Sequence, residues 1–296
     1  MTAMHPGVKP FYHQPTGTWS YVVSDPATRD CAIVDPVLDY EARAGRTATD
    51  TADRLIADVR ARGLHVTWIL ETHAHADHLS AAQHVKAALG GRLAIGEGIR
   101  TVQHHFAGVF NFEREFMPDG RQFDHLFERD ERFSVGQIEA RVLATPGHTN
   151  DSVTYLIGDA AFVGDTVFMP DGGTARCDFP GGDAALLHAS IQRLYDLPAT
   201  IRVFVCHDYL PGGRPPRCET TIGEQRSANI HVTATTSVDE FVAMRTRRDA
   251  TLALPDLIVP SVQVNIRAGC LPPAEANGVA YLKIPIDVLG RPASSG

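Results

Sequence analysis

The sequence predicts an α+β fold in which strands end in loops that carry metal-binding side chains. The apolar run 66–70 is short and rich in β-branched and aromatic residues, which is typical of a buried strand. Residues 72–78 follow it and read Thr-His-Ala-His-Ala-Asp-His. A helix is expected at about 79–89, because Gly90-Gly91 is a helix stop signal. The polar cluster would therefore lie at the carboxyl end of a strand, where open α/β folds bind ligands.

This cluster has the chemistry of a metal site, with three imidazoles and one carboxylate within six residues: His73, His75, Asp77 and His78. Neutral imidazole and carboxylate suit zinc, iron and similar ions. Three later strand ends add candidate ligands in chain order, namely His148 after 138–144, Asp165 after 160–164 and His207 after the apolar run 202–206. Because all these residues share one topological position, a common function explains the set better than separate turn or cap roles.

The remaining elements follow from short-range patterns. Strands are predicted at 19–23, 31–34, 92–95, 133–135, 138–144, 153–157 and 160–164. Gly136-Gln137 and Gly158-Asp159 are two-residue turn signals that would join the last four into hairpins. Helices are predicted at 47–62, from an Asp183 cap to about residue 196, and after a capping box at Ser237. The segments 257–266 and 281–286 look extended.

The composition is that of a globular protein with 44% hydrophobic and 21% charged residues, and 296 residues can bury one large core. A net charge of -8 provides no basic surface for nucleic acid. No apolar run approaches the roughly 20 residues of a membrane span. The N-terminal residues lack the basic and apolar regions of a signal peptide, and the five scattered cysteines indicate no disulfide framework. We therefore expect a cytoplasmic protein.

The ordered ligand set resembles the signature of the metallo-β-lactamase superfamily, and the resemblance spans about residues 15–210. It implies an αββα sandwich, in which two mixed β-sheets lie face to face with helices outside and the site lies at one edge. We expect a single domain over residues 1–296, with a core at about 15–210 and a C-terminal extension at about 211–290.

Three further segments are similar to the persulfide dioxygenases of that superfamily: 174–179 around Arg176, His207-Asp208-Tyr209, and 259–267. The phenylalanine-rich segment 101–133 is similar to the bacterial β-lactamase-like hydrolase branch. One position departs from the family. The cysteine that the family has after the Asn-x-Arg segment is Ala268 here, and Cys270 lies two residues on, so no role of that cysteine is carried over.

The resemblance implies one Fe(II) per chain held by His73, His148 and Asp165, with zinc as an alternative bound metal. Two histidines and one carboxylate leave coordination positions open for substrate and dioxygen. The implied reaction is the oxidation of glutathione persulfide by O2 to sulfite and glutathione. We also expect a homodimer that binds neither nucleic acid nor membrane.

Two roles stay open for the other four candidates, His75, Asp77, His78 and His207. They either complete a second metal site or form hydrogen bonds that orient the ligands of the first metal. A glyoxalase-II-like thioester hydrolase with two metals is therefore the alternative function, and a non-catalytic metal or persulfide sensor is a third. The extended appearance of the C-terminal segments argues against glyoxalase II, which appends a mainly helical substrate domain.

Arg176 and Tyr209 are candidate substrate-binding residues. A guanidinium recognises a carboxylate through two parallel hydrogen bonds, and glutathione carries carboxylates. The neighbouring Asp178 offers Arg176 a competing structural partner. Tyr209 follows His207 by two residues and would line the same pocket, although packing of the strand end is its alternative role.

The segment 101–133 holds seven of the thirteen phenylalanines. It would form either a lid or dimer surface beside the site, or a local apolar core. We favour a core for most of the rings. His104 and His105 are expected to be solvent-facing or satisfied in the core, because they lack the strand-end position of the ligand candidates.

Overall fold

The computed structural model describes residues 5–290. The strands are β1 (Gly7–His13), β2 (Thr18–Ser24), β3 (Asp30–Val34), β4 (Val37–Glu41), β5 (Arg46–Ala48), β6 (His65–Leu70), β7 (Leu79–Ser80), β8 (Arg92–Gly96), β9 (His125–Phe127), β10 (Arg132–Val135), β11 (Ile138–Ala144), β12 (Val153–Ile157), β13 (Ala160–Phe162), β14 (Arg202–Phe204) and β15 (Glu219–Thr221). The α-helices are α1 (Asp50–Ala61), α2 (Ala82–Leu89), α3 (Ile99–Val109), α4 (Ala184–Tyr195), α5 (Ile222–Ala228), α6 (Val238–Asp249) and α7 (Ile258–Asn265).

Two mixed sheets of six strands dominate the described chain. The first has the order β1-β2-β3-β6-β8-β9, and the second has the order β10-β11-β12-β13-β14-β15. In the first sheet, β3, β6, β8 and β9 run parallel to one another, whereas β1 and β2 are antiparallel additions. In the second sheet β13 and β14 pair in parallel and their neighbours pair antiparallel. A small sheet, β5-β4-β7, completes the strand pairing.

The sheets pack face to face, and helices cover both outer faces. Tyr21 of the first sheet and Tyr155 of the second belong to one buried cluster between the sheets. Successive side chains of a strand point to opposite faces. Val22 therefore packs outward, in a cluster with apolar residues of α1, α2, α3 and α7. A third cluster joins the outer face of the second sheet to α4, α5 and α6. The expected αββα sandwich is confirmed.

The elements predicted from turn and cap chemistry are confirmed. Both hairpins form, with β10 pairing to β11 and β12 pairing to β13. Asp183 caps α4, since its side chain accepts hydrogen bonds from Ala185 N at 2.8 Å and Leu186 N at 2.9 Å. Ser237 and Glu240 form the predicted capping box of α6. These patterns act over a few residues, so they do not depend on the rest of the fold.

Two predicted helices begin later than expected. The helix expected from residue 47 begins at Asp50, because Arg46–Ala48 pairs with β4. The helix expected from residue 79 begins at Ala82, because Leu79–Ser80 pairs with the same strand. In both cases a neighbouring strand supplies backbone partners that local pattern does not record.

The expectation of extended segments near the C-terminus is wrong. Most of the segment 257–266 is the helix α7, in which every residue except Val259 is buried. Burial on all sides removes the polar face that makes a helix recognisable, and Pro260 is tolerated in the first turn. Residues 281–286 form no strand, because the backbone N and O of Lys283 bond to the side chain of Gln263, each at 2.9 Å.

The C-terminal segments are not extended, so they no longer distinguish this protein from glyoxalase II. After β15, the regular elements of the described chain are the helices α5, α6 and α7. The regular structure of the C-terminal part is therefore helical. None of the helices within residues 5–290 is long and apolar enough to cross a membrane.

The phenylalanine-rich segment belongs to the main cores. Five of its seven rings are buried, namely Phe106, Phe110, Phe116, Phe123 and Phe127. The first four join the helix-side cluster of the first sheet, and Phe127 lies between the sheets. Most of the rings are therefore buried as expected, but they belong to the two main clusters and not to a separate local core. His104 and His105 are exposed on α3, which is one of the two placements expected for them.

Candidate metal centre

Four strand ends bring the candidate ligands together. The loop 71–78 follows β6, His148 follows β11, Asp165 follows β13 and His207 follows β14. Within the described chain, three groups of side chains have potential ligand atoms within 4.8 Å of one another: His73, His148 and Asp165; His75, His78, Cys206 and His207; and Asp35, Glu71 and His75. The predicted residues thus converge, and three residues that sequence reasoning missed accompany them.

The first group has one carboxylate and two imidazoles. His73, His148 and Asp165 are all buried, and the two imidazole rings are nearly perpendicular with centroids 5.1 Å apart. The Nε2 atom of His148 lies 3.7 Å from Oδ2 of Asp165. Thr72 Oγ1 lies 3.2 Å from Nδ1 of His73, which leaves its Nε2 for another partner. This donor set fits a divalent metal of the iron or zinc type.

The second group adjoins the first through Asp165. Nε2 of His207 lies 3.3 Å from Oδ1 of Asp165 and 3.2 Å from Oδ2 of Asp77. The ring of His78 lies 5.6 Å from that of His207, and the ring of His75 lies 4.1 Å from that of His78. The two oxygens of Asp165 thus face one group each, so this carboxylate is placed to serve either one metal or two.

Several of these atoms are buried without a hydrogen-bond partner in residues 5–290. They are His75 Nδ1, His78 Nε2, His207 Nε2 and Asp165 Oδ1. Buried polar atoms are costly when unpaired, and nearly all such atoms in native structures have a partner. A metal ion is a partner that can satisfy several of them at once. The residues present therefore fit a bound metal.

Asp35 and Glu71 lie behind the ligands. Asp35 accepts hydrogen bonds from Thr72 N at 2.7 Å and Thr72 Oγ1 at 2.9 Å, and its Oδ1 lies 3.1 Å from Nε2 of His75. Glu71 accepts a bond from Ser80 Oγ at 2.5 Å. Asp35 occupies one ring nitrogen of His75 and leaves Nδ1 for the cluster. Its position directly after β3 is the strand-end signal that could have revealed it.

The C-terminal helix α7 also supports the metal loop. The side-chain nitrogen of Asn265 donates to the carbonyls of His75 at 2.8 Å and His78 at 2.7 Å. Its side-chain oxygen accepts from Ser80 N at 2.8 Å. One buried amide thus fixes three backbone groups of the loop between β6 and α2.

Two glycines permit the close packing of the ligand loops. Gly147 has φ +136°, and a Cβ there would lie 2.2 Å from Leu187 N at the start of α4. Gly164 has φ +51°, and its Cβ would lie 2.7 Å from Thr72 Oγ1. Both positions precede a candidate ligand directly. A side chain at either would push His148 or Asp165 away from its group.

The buried environment sets the charges of the ligands. Burial lowers the pKa of His73 well below its usual range, and the neighbouring His75 adds to the effect. Burial also raises the pKa of Asp165 to about 8, against the opposing influence of His148. For Asp77, burial raises the pKa, but His207 and His78 outweigh it and bring the value to about 2. Without a bound cation the two carboxyl groups therefore differ in charge at neutral pH.

Cys206 joins the second group, but its thiol is held in the protonated form when no metal is bound. It directly precedes His207, is buried, and burial raises the pKa of its thiol well above the usual range. Cysteine binds metals as the thiolate. Its backbone carbonyl instead accepts a hydrogen bond from Trp19 N at 2.7 Å, which ties the loop after β14 to β2.

The order of ligands along the chain corresponds to a known family. A sequence model of the metallo-beta-lactamase superfamily matches residues 13–207, which is more than half of the chain and contains every candidate metal ligand. The chain belongs to the metallo-β-lactamase superfamily. Helix α6 and helix α7 lie beyond the matched residues.

Relatives in this superfamily carry names of different reactions. A beta-lactamase hydrolase-like protein of Agrobacterium fabrum is 52% identical over 288 residues, 97% of this chain and 66% of that protein. Glyoxylase B2 of Dictyostelium discoideum is 51% identical over 276 residues, 93% of this chain and 94% of that protein. The mitochondrial persulfide dioxygenase ETHE1 of Bos taurus is 27% identical over 259 residues, 86% of each chain. This chain thus spans just under two thirds of the Agrobacterium protein.

Among solved structures, the crystal structure of ETHE1 from Myxococcus xanthus matches with a TM-score of 0.71 and 29% identity. The match covers 89% of this chain and 100% of that chain. It therefore extends beyond residues 13–207 and includes part of the chain outside them.

The metallo-β-lactamase site opens into a cavity of ≈ 970 Å³. His148 and Asp165 line it, and so do Arg176 and Tyr209. No residue of the segment 101–133 is among its lining residues. The hydroxyl of Tyr209 donates to Asp77 at 3.4 Å, and its ring stacks on His207 with centroids 5.6 Å apart.

The guanidinium of Arg176 is already engaged. Its Nε and Nη2 donate to Asp178 at 2.6 and 2.8 Å, and its Nη1 donates to the carbonyl of Ala253 at 2.5 Å. These bonds support the structural role that competes with substrate anchoring. The backbone of Arg176 has a further contact, because its carbonyl accepts from Nδ1 of His148 at 2.8 Å.

Metal binding at pH 7 is expected to release a proton from Asp165. The pKa of this carboxyl is raised to about 8, whereas a metal binds the carboxylate form. The affinity for Zn²⁺ should therefore rise with pH until about pH 8 and then level off. Calorimetric titration in two buffers of different ionisation enthalpy measures the released protons. Asp165→Asn should lose this release, and an undiminished release in that variant would contradict the assignment.

Proposed function

We propose that the protein is a non-haem iron persulfide dioxygenase that oxidises glutathione persulfide with O2 to sulfite and glutathione. The observation that carries the proposal is the group of His73, His148 and Asp165, which lies beside a large cavity. Two imidazoles and one carboxylate leave positions open on a bound ion. A bound Fe(II) would supply the activation of O2, which reacts poorly with closed-shell substrates.

The chain's own residues provide the conditions for such a site. Burial keeps His73 neutral, which is the form that binds metals. The Arg176 carbonyl accepts the Nδ1 proton of His148 and so turns Nε2 of that ring toward Asp165. The cavity volume of ≈ 970 Å³ is at the upper end of small-molecule sites, so a tripeptide such as glutathione is of suitable size.

The cavity contains arginines that can hold the carboxylates of glutathione. Arg46 and Arg248 line it, are exposed, and form no ion pair within residues 5–290. Arg176 lines it as well, but donates to Asp178 and Ala253. Exposed guanidinium groups can pair with a carboxylate without first breaking an internal bond. We therefore assign carboxylate binding to Arg248 ahead of Arg176.

The resemblance to ETHE1 supports this reaction. The match to the Myxococcus xanthus ETHE1 structure covers all of that chain. It includes part of the C-terminal region, which lies outside the residues common to the superfamily model. A cytoplasmic location and a homodimer stay predictions.

A thioester hydrolase of the glyoxalase II type is the second candidate, because a specific observation favours it. The unpaired atom His207 Nε2 lies 3.3 Å from Oδ1 of Asp165, and the unpaired His78 Nε2 belongs to the same group as His207. Two metals in such a site would supply a hydroxide for attack on a thioester carbonyl. The helical C-terminal part and the 51% identity to glyoxylase B2 agree with this candidate.

Metal content and substrate turnover should separate these functions. Protein made in iron-replete medium is expected to bind near one iron per chain and to consume O2 with glutathione persulfide. The same preparation should not hydrolyse a glutathione thioester. Two zinc ions per chain with thioester hydrolysis and no oxygen uptake would establish the hydrolase instead. Metal binding without either reaction would favour the sensor.

Removal of Asp165 should have a larger effect than removal of His207. Asp165→Ala deletes the anionic member of the first group, so iron binding and oxygen uptake should both be lost. His207→Ala should weaken oxygen uptake by about 10–100-fold, the usual range for a group that supports a ligand from behind. Iron analysis accompanies the oxygen-electrode assay. Retention of iron by Asp165→Ala, with its loss from His207→Ala, would reverse the ligand assignment.

Arg248→Ala is expected to raise the KM for glutathione persulfide by about 10-fold, with kcat and iron content unchanged. Loss of a charged hydrogen bond to a substrate carboxylate gives an effect of this size. Arg132→Ala is the matched control, because Arg132 is exposed but lies outside the cavity. Steady-state kinetics of both variants, together with Arg176→Ala, provide the test. A raised KM only in Arg176→Ala would return the anchoring role to Arg176.

A further inference from the structure

A buried ion pair on helix α6 has no place among the metal ligands. Arg245 is 1% exposed, and its partner Asp249 lies one turn further along the helix. Oδ1 of Asp249 accepts from Nε of Arg245 at 3.0 Å and from Nη2 at 2.6 Å. Burial of such a pair costs free energy unless further hydrogen bonds satisfy its remaining donors and acceptors. The other contacts of the pair therefore indicate its function.

The remaining contacts of the pair go to the segment 174–177. Nη1 of Arg245 donates to the carbonyl of Thr174 at 3.0 Å. Oδ2 of Asp249 accepts from the backbone N of Cys177 at 2.9 Å. These two backbone groups lie on either side of Arg176. The ion pair therefore holds the segment at both ends, and Arg176 lies between the two attachment points.

The carbonyl of Arg176 is the group that orients His148. It accepts a hydrogen bond from Nδ1 of His148 at 2.8 Å. A carbonyl oxygen can only accept, so the proton of the imidazole must be on Nδ1. In the neutral ring Nε2 is therefore the nitrogen that can bind a metal, and it lies 3.7 Å from Oδ2 of Asp165. The position of one backbone oxygen thus determines both the tautomer and the ring orientation of a candidate metal ligand.

We infer that Arg245 and Asp249 are positioning residues for His148: they clamp the segment 174–177 so that the Arg176 carbonyl presents the His148 ring to the metal. The inference rests on the proposed metal-binding role of His148 and is the same for one metal or two. His231 adds a third attachment, because its Nδ1 accepts from Thr174 N at 2.9 Å. A helix outside the residues common to the superfamily model thereby controls a ligand inside them.

The test compares Co²⁺ binding by the 296-residue protein and its variants. Co²⁺ takes imidazole and carboxylate ligands, and its visible absorption changes with coordination geometry. Arg245→Met removes the donors and keeps most of the volume. Arg202→Met is the matched control, because Arg202 makes a two-point ion pair with Asp159 at 3.1 and 2.9 Å, at the end of β14 away from His207. Thermal unfolding without metal measures the stability of each variant.

Arg245→Met is expected to bind Co²⁺ at least about 10-fold more weakly than the parent and to show a changed absorption spectrum. Arg202→Met should lose stability but keep the parent affinity and spectrum. Arg245→Lys keeps the charge without the two-point geometry, so its affinity should fall between those of the parent and Arg245→Met. A purely structural role for the pair would change the unfolding temperature and leave Co²⁺ binding in the folded variant unchanged.

Parent-like Co²⁺ affinity and spectrum in folded Arg245→Met would overturn the inference. If that variant does not fold, Arg245→Met/Asp249→Leu replaces it, because removal of both partners leaves no unpaired buried charge. Failure of both to fold would also reject the inference, since the pair would then support the whole fold. His148→Ala tests the metal-binding role of His148 separately from the positioning role of Arg245 and Asp249. Parent-like Co²⁺ binding in His148→Ala would reject the metal role of His148 itself.

Discussion

The structure depends on a set of buried nitrogen and oxygen atoms that face one another and have no hydrogen-bond partner among residues 5–290. His75 Nδ1, His78 Nε2, His207 Nε2 and Asp165 Oδ1 are such atoms. Burial of a polar atom without a partner costs free energy, and a metal ion is a partner that several atoms can share. Each ligand must therefore be held in place, because any free ring could otherwise turn toward another polar group of the protein.

This requirement explains the layer of hydrogen bonds behind the ligands. The ring nitrogen that faces away from the cluster has an acceptor or hydroxyl beside it in each case. Asp35 lies beside Nε2 of His75, the Arg176 carbonyl beside Nδ1 of His148, and Thr18 Oγ1 lies 3.2 Å from Nδ1 of His207. Such partners select the tautomer that leaves the other nitrogen free for a metal. Strand β2, the residue after β3 and the loop after β13 all contribute to this layer.

The pKa values of the two carboxyl groups Asp77 and Asp165 are shifted in opposite directions. Asp77 is surrounded by His207 and His78, and these rings bring its pKa to about 2 although burial opposes them. It is ionised at neutral pH with or without a metal. Burial instead raises the pKa of Asp165 to about 8, so its charge depends on a bound cation. Asp165 is also the residue that faces both ligand groups, which makes it the point where metal binding and protonation compete.

The sequence by itself determined the local elements and the strand-end positions of the ligands. The hairpin turns, the Asp183 cap and the order of the histidines depend on neighbouring residues, so short-range patterns predict them. Only the tertiary structure decided that 258–265 is a helix, because burial on all sides leaves no periodic polar face. The tertiary structure also decided that Asn265 bonds to the metal-binding loop and that Arg245 bonds to the segment 174–177. Their bonds join residues 190 and 71 positions apart, respectively. Such distances in sequence carry no local signal, and only packing brings the partners together.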